Sequence, residues 1–258
     1  MVKLPQSDRS KEQGFTLVEL AVVMIIIGLL IGGILKGQEL IANAEVAATI
    51  SQIQSFDGAV SSFDDKYDGL PGDLVAPNNR LPNCGAAPCA PAAGTPGNGN
   101  LDVLPNAAMT NEALAFFIHL SRANFITGID DSGGAATAAQ FGNAIPEAQL
   151  GGGWQVGSTA GGGLADFANT IGTAIPSEGV YLAHVDLPGA PATANAGMTP
   201  NQAQRIDTKL DDGNGSSGTV RAYGTAGTGA AACFDLGNDV YIEANETNTC
   251  GVYVRVQN

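Results

Sequence analysis

Charge is scarce in this chain. Of its 258 residues only 14% are Asp, Glu, Lys or Arg, against about 25% in ordinary soluble proteins. Only 11 residues are basic, and the net charge is −14. That deficit argues against a nucleic-acid partner, because backbone phosphates demand a surplus of Lys and Arg; it equally disfavours an anionic lipid surface. Histidine is scarcer still. Around His119 and His184 no Ser/His/Asp or Cys/His arrangement stands out, so a catalytic pair would have to be assembled by the fold alone. Aromatics make up 6% of the chain and form no dense run, which gives little support to conduction through stacked rings. The glycine triplets at 151–153 and 161–163 lack the Lys and the strand–helix setting of a phosphate-binding loop. Only one apolar run is long enough to cross a bilayer, which excludes a polytopic membrane protein.

What remains is 44% hydrophobic residues with 35 Gly and 13 Pro. This is too apolar for a disordered chain, and long enough for one large domain or two small ones. With so few charges the surface must be built largely from Ala, Gly, Thr, Asn and Ser. Such a surface suits a chain outside the cytosol, or one that packs against copies of itself.

The N-terminus is the most informative segment. Residues 1–14 are polar and carry Lys3, Arg9 and Lys11; residues 15–35 are apolar, broken only by Thr16 and Glu19. As a helix this run is about 30 Å long, the thickness of a hydrocarbon core. Basic residues before it and an acidic chain after it place the N-terminus on the cytoplasmic side. No Ala-x-Ala site follows the run, as an ordinary secretory signal would have. A plain signal anchor leaves Glu19 unexplained, since a carboxylate inside a lone membrane helix costs a few kcal/mol and marks a functional partner.

The segment Gly14-Phe15-Thr16-Leu17-Val18-Glu19-Leu20 resembles the processing motif of type IV pilins and of their relatives, the pseudopilins of type II secretion. The resemblance covers residues 1 to about 45. It implies that a prepilin peptidase in the inner membrane cuts between Gly14 and Phe15 and methylates the new amino terminus of Phe15. Residues 1–14 are then a leader peptide. It further implies that the Glu19 carboxylate pairs with the amino group of a neighbouring subunit, so that two charges unfavourable alone in lipid become tolerable together. Many pilins of this family carry a proline where this chain has Lys36. Gly28, Gly32, Gly33 and Gly37 suit either local melting of the helix in a filament or close helix packing.

The helix is expected to continue past the membrane, over residues 15–66 in all. Leu40, Ile41, Ala44, Ala47, Ala48, Ile50, Ile53, Phe56, Val60 and Phe63 follow mostly at three-to-four spacing, and no proline intervenes before Pro71. Residues 67–258 form the head domain. Within it, 68–106 is too proline-rich for helix or sheet. Residues 111–126 read as an amphipathic helix capped by Thr110 or Asn111, with His119 a packing or capping residue. Residues 128–178 are Gly/Ala-rich loops around short strands, where Trp154 is either a buried anchor or part of a binding face. A short helix is expected at 199–209. Strands are expected at 179–186, 219–223, 232–236, 239–244 and 252–256. A long helix followed by an antiparallel sheet gives the α+β class.

The four cysteines fall into close pairs, Cys84 with Cys89 and Cys233 with Cys250. In an exported chain they are expected as disulfides; three connectivities are formally open and the sequence-local pairs are favoured. The second pair resembles the disulfide-bounded C-terminal region of many type IV pilins. Asn98, Asn100 and Asp102 alternate as the first ligands of an EF-hand loop do, and Asp73 or Glu112 could complete a calcium site. The same residues also fit an Asn/Gly turn held by side-chain-to-backbone bonds. Asp207, Asp211 and Asp212 form a second oxygen cluster, in a turn that resembles the Asp-Asp-Gly segment of some larger pilin-like proteins.

The expected function is a non-enzymatic structural subunit of a type IV pilus-like extracellular filament. Its expected partners are copies of itself, the peptidase and the inner-membrane assembly machinery, with no nucleic acid and no obligatory cofactor. The alternatives are a periplasmic pseudopilin of type II secretion and a membrane-anchored periplasmic enzyme.

Overall fold

A computed structural model describes residues 15–91, 94–130, 140–159, 178–191, 195–225, 227, 229 and 231–257. The leader, with Gly14, lies outside these residues. The elements in chain order are α1 (Leu17–Tyr67), α2 (Pro77–Arg80), α3 (Asn111–Arg122), β1 (Gly153–Ser158), β2 (Val180–Val185), α4 (Pro200–Leu210), β3 (Val220–Gly224), β4 (Phe234–Asp235), β5 (Val240–Tyr241) and β6 (Cys250–Gln257). The long apolar helix followed by an antiparallel sheet is an α+β layout. By packing, the chain divides into residues up to Ala44 and residues from Glu45 onward.

In the first unit α1 is continuous through Gly28, Gly32, Gly33 and Gly37, and a Cβ built on any of the four meets no atom within 4 Å. Within the single chain these glycines therefore serve no close approach.

In the second unit the remainder of α1 buries Val46, Thr49, Ile53, Phe56, Ala59, Val60 and Phe63, a stripe at helical spacing. The start of this stripe differs from the sequence expectation: Ala47 and Ala48 are exposed, as are Leu40 and Ile41. The three-to-four spacing holds for several phases at once in so apolar a segment, and tertiary packing selects the one that begins at Val46. Phe56 meets Phe117 of α3 edge to face at 5.6 Å, and Phe63 packs on His119 and Phe125.

Helix α3 ends earlier than its hydrophobic pattern. Asn124 adopts a left-handed conformation (φ +62°), its N–H donates to the Ser121 carbonyl at 2.9 Å, and the Phe125 N–H donates to Leu120 at 2.9 Å. This is a Schellman stop with Asn in place of glycine. Thr110 occupies the N-cap position of α3 but makes no side-chain capping bond. The loop after α1 holds one short helical turn, α2, which the proline content argued against; Pro77 stands in its first turn, where a missing N–H costs nothing. Helix α4 starts with a capping box between Thr199 and Gln202.

The main sheet is antiparallel with strand order β1-β2-β6-β3, so the C-terminal strand is central; β4 and β5 pair separately. One cross-strand row, Val156–Leu182–Val254–Val220, belongs to the main core. On the opposite face Tyr181, Ala183, Tyr223 and Tyr253 form a second buried cluster with Ala196. The sheet is thus buried on both sides, and its strands do not alternate polar with apolar. Strand β1 shows why such a strand evades sequence reading. A Cβ on Gly157 would lie 2.5 Å from the backbone N of Pro105, so glycine is needed there for the 104–105 loop to lie against the strand.

Cys84 bonds Cys89, and Cys233 bonds Cys250 at the start of β6. By loop entropy the second closure contributes about 3 kcal/mol.

Candidate assembly and processing site

The start of α1 is a small self-contained device. The Thr16 N–H and the Thr16 hydroxyl both donate to Glu19 Oε2 at 2.9 Å, and the Glu19 N–H donates back to Thr16 Oγ1 at 3.3 Å. The Leu20 N–H closes the first turn on the Thr16 carbonyl at 3.2 Å. Thr16 is therefore the N-cap and Glu19 the third helical residue of a capping box, in which two orphan backbone donors are satisfied reciprocally. The sequence reading singled out Glu19 but missed Thr16. The signal was present, because Ser/Thr-x-x-Glu before an apolar run is itself a helix-start signature. The carboxylate also sits at the positive end of the helix dipole.

Below this cap the helix is apolar on every side. From Phe15 to Ile41 every large apolar side chain is between 45% and 89% exposed. The most apolar 18-residue window of α1 has a mean hydropathy of 2.7 and none of its residues is buried. Each such side chain gains about 1.5–3 kcal/mol on leaving water. A contiguous surface of this size demands lipid or protein as its solvent.

The other residues singled out in the sequence are held as structural pieces. Asp73 is buried, and its carboxylate accepts the N–H groups of Gly97 at 2.5 Å, Asn98 at 3.4 Å and Gly99 at 2.6 Å. Burial pushes this carboxyl up, and the same backbone donors pull it down. The 97–99 loop thus wraps an anion supplied by its own chain. Asn98 Oδ1 accepts the Asn100 N–H at 2.8 Å, Asn100 Oδ1 accepts the Ser158 hydroxyl at 3.3 Å, and Asp102 Oδ2 accepts the Thr95 N–H at 2.8 Å. The structure therefore ties Asp73 to the backbone of this loop.

Asp207, Asp211 and Asp212 present carboxylate oxygens within 4.8 Å of one another. The Tyr241 hydroxyl donates to Asp207 at 2.8 Å, the Val220 N–H to Asp211 at 3.1 Å, and the Ser217 hydroxyl to Asp212 at 2.6 Å. Burial lifts the Asp207 carboxyl to about 7. The sulfurs of Cys84 and Cys89 lie beside His119, but bonded to each other they offer no thiolate. Trp154 is fully buried and its indole N–H donates to Gln52 Oε1 of α1 at 3.0 Å.

Both histidines are buried in the fold. His119 Nδ1 accepts the Gly72 N–H at 2.9 Å, so its Nε2 carries the proton and donates to the Cys89 carbonyl at 2.7 Å. Burial depresses His119 and His184 to about 4 each. A folded-state pKa below the unfolded value near 6.5 means that acid favours the unfolded chain. The contribution of a neutral imidazole is complete above pH 6.5 and is lost as pH falls toward 4. Asp207 acts in the opposite sense: its contribution is complete below the ordinary carboxylate range and is lost as pH rises through about 7. His119→Asn keeps an acceptor for the Gly72 N–H but cannot titrate. Relative to the parent it is expected to flatten the loss of stability between pH 6.5 and 4 by up to about 3 kcal/mol. Urea unfolding at a series of pH values checks this, and an unchanged slope contradicts it.

A family profile described as the prokaryotic N-terminal methylation motif matches residues 9–35. That motif is the hallmark of type IV pilins and pseudopilins. The match spans Gly14, Phe15, the capping box and the apolar run down to Leu35. No curated protein and no solved structure matches the chain significantly. The N-terminus therefore carries the methylation motif that marks pilin-type precursors, and its apolar helix fits insertion in the inner membrane.

Proposed function

We propose that the chain is the precursor of a structural subunit of a type IV pilus-like helical filament. Prepilin peptidase removes residues 1–14 between Gly14 and Phe15 and methylates the Phe15 amine. The mature subunit then leaves the inner membrane and joins copies of itself through residues 15–44, while residues 67–258 form the head on the outside. The observation that carries this reading is a helix apolar on all sides whose one acidic group between Phe15 and Leu35 is Glu19, at the cap.

Lipid covers that surface before extraction, and the helices of neighbouring subunits cover it afterwards. The Phe15 amine, released by cleavage, is a cation at the positive end of the helix, where the dipole disfavours it. A carboxylate from a neighbouring subunit offsets that cost, and Glu19 carries one. Head-to-tail contacts that do not close generate a helical fibre, and a head poor in charge can tile its outside.

Shearing cells and separating the released filaments from the envelope tests this. The chain is expected in the sheared fraction as a major constituent. Processed chain that stays wholly in the envelope instead favours a pseudopilin of type II secretion or a minor subunit. Lys36 in the place of the family's proline favours that second reading.

A further inference from the structure

The sequence holds two Asn-Gly pairs, Asn98-Gly99 and Asn214-Gly215. Such a pair carries a latent reaction of its own. The glycine nitrogen can close a five-membered ring on the Asn side-chain carbon, and glycine has no side chain to obstruct the approach. The fold treats the two pairs differently.

At Asn98 the groups that this reaction needs are in place. The Gly99 N–H, whose nitrogen is the nucleophile, donates to Asp73 Oδ2 at 2.6 Å, so a carboxylate already meets the proton that must leave. Asn98 Oδ1 accepts the Asn100 N–H at 2.8 Å. That donor polarises the Asn98 side-chain carbonyl and meets the oxygen on which negative charge develops. Asp73 is buried, and its other oxygen is held by the Gly97 N–H at 2.5 Å, which fixes the carboxylate beneath the loop. Asn98 and Gly99 are exposed, and a Cβ built on Gly99 would meet no atom within 4 Å, so water reaches the reacting bond.

Asn214 has the activated carbonyl without the base. Its Oδ1 accepts the Ser216 N–H at 3.0 Å, the same two-residue arrangement, and the Ser216 hydroxyl at 2.8 Å. Among the described residues no carboxylate accepts the Gly215 N–H. The carboxylates beside it are taken up by the neighbouring backbone, Asp212 by the Asn214 N–H at 2.9 Å and Asp207 by the Gly213 N–H at 3.1 Å.

We propose that Asn98-Gly99 is a self-modification site, at which Asp73 is the general base for conversion of Asn98 to aspartate and isoaspartate. Asp73 takes the Gly99 N–H proton as the nitrogen bonds to Asn98 Cγ, and the carbonyl electron pair moves onto Oδ1. When that pair returns, the bond from Cγ to Nδ2 breaks. Nδ2 leaves as ammonia with the proton held by Asp73, which restores the base and leaves a cyclic imide. Solvent water then opens the imide at either carbonyl. One water enters and one ammonia leaves, with no oxidant or reductant. The change puts a negative charge on a residue that lines a pocket of about 360 Å³ with Asn100, Asp102 and Ser158. Isoaspartate also lengthens the loop backbone by one carbon. The inference is independent of whether the chain assembles into a filament.

Incubation of the full folded chain in detergent at neutral pH tests it, followed by peptide mapping that separates Asn, aspartate and isoaspartate. The same chain unfolded in guanidinium and the variant Asp73→Asn are run beside it. In the folded parent Asn98 is expected to convert roughly 100-fold faster than Asn214, the lower end of what a positioned general base contributes. Unfolding is expected to make the two sites equal, and Asp73→Asn to slow Asn98 to the rate of Asn214. Equal rates at the two sites in the folded parent overturn the proposal. So does an Asn98 that converts no faster folded than unfolded. Fast conversion that survives in folded Asp73→Asn removes Asp73 as the base and equally overturns it. If that variant fails to fold, the comparison of folded with unfolded parent decides alone.

Discussion

Glu19→Gln is expected to abolish filament assembly while leaving the helix start intact. Glutamine at the third helical position can still accept from Thr16, so the capping box survives. What is lost is the charge. If Glu19 meets the Phe15 amine of a neighbour in an apolar bundle, its neutralisation leaves a buried cation unpaired. That costs about 3–5 kcal/mol, or roughly 100-fold or more in the affinity of subunit for filament. Thr16→Ala is the complementary change: it removes the cap, at about 1 kcal/mol, and keeps the carboxylate. Assembly is therefore expected to tolerate Thr16→Ala with a modest loss and to fail with Glu19→Gln. Filament yield from sheared cells, normalised to precursor in the membrane, measures both. The reverse order, with Thr16→Ala the more damaging, shows that Glu19 matters through the fold of its own helix and not through a neighbour.

The second large effect is expected in the head domain. Trp154→Ala should destabilise it by about 3–5 kcal/mol, the range for removing a large aromatic side chain from a core. Trp154 joins β1 to α1 through its hydrogen bond to Gln52 and meets His184 edge to face at 5.4 Å. Truncation removes the packing, opens a cavity and strips Gln52 Oε1 of its donor. Trp154→Phe retains most of the packing and loses only the hydrogen bond, so it is expected to cost about 1–2 kcal/mol. Chemical denaturation of the full chain in detergent separates the two. Equal costs for both variants point to the hydrogen bond, and near-zero cost for both shows that the strand is held by other contacts.

What the sequence disclosed depended on whether the information was local. The N-terminal segment is a linear code: a polar leader, Gly14-Phe15, a capping box and an apolar run lie in order within residues 1–35. The long helix was equally legible because no proline breaks it. Strand β1 was not, since Gly-Trp-Gln-Val-Gly-Ser carries little β signal of its own. It is a strand because β2 pairs with it and the 104–105 loop fits against Gly157. The α1 stripe was legible at Ile53, Phe56, Val60 and Phe63, and only its start escaped, because in a helix apolar on many sides the packed partner decides which side is buried.

The environment of Asp73 was the least legible feature. The groups that hold it are backbone N–H donors of Gly97, Asn98 and Gly99, and backbone donors leave no mark in residue identity. Reading Asn98, Asn100 and Asp102 by type suggested oxygens turned toward a cation, whereas this loop turns its nitrogens toward a carboxylate. The burial of Glu112 was not legible either, because its side chain is covered by Gly94 and Asp102 of a loop ten or more residues away. His119 illustrates the same limit. Its role, tying Gly72 and Cys89 to α3, depends on two contacts 47 and 30 residues away in sequence.

The central claim is that this chain is cut and assembled as a pilin-type subunit, and intact mass with N-terminal sequencing of the chain recovered from sheared filaments tests it most directly. The account predicts a polypeptide that begins at N-methylated Phe15 and lacks residues 1–14. A chain recovered only with Met1 and the leader intact contradicts it, and leaves the apolar helix as an ordinary membrane anchor.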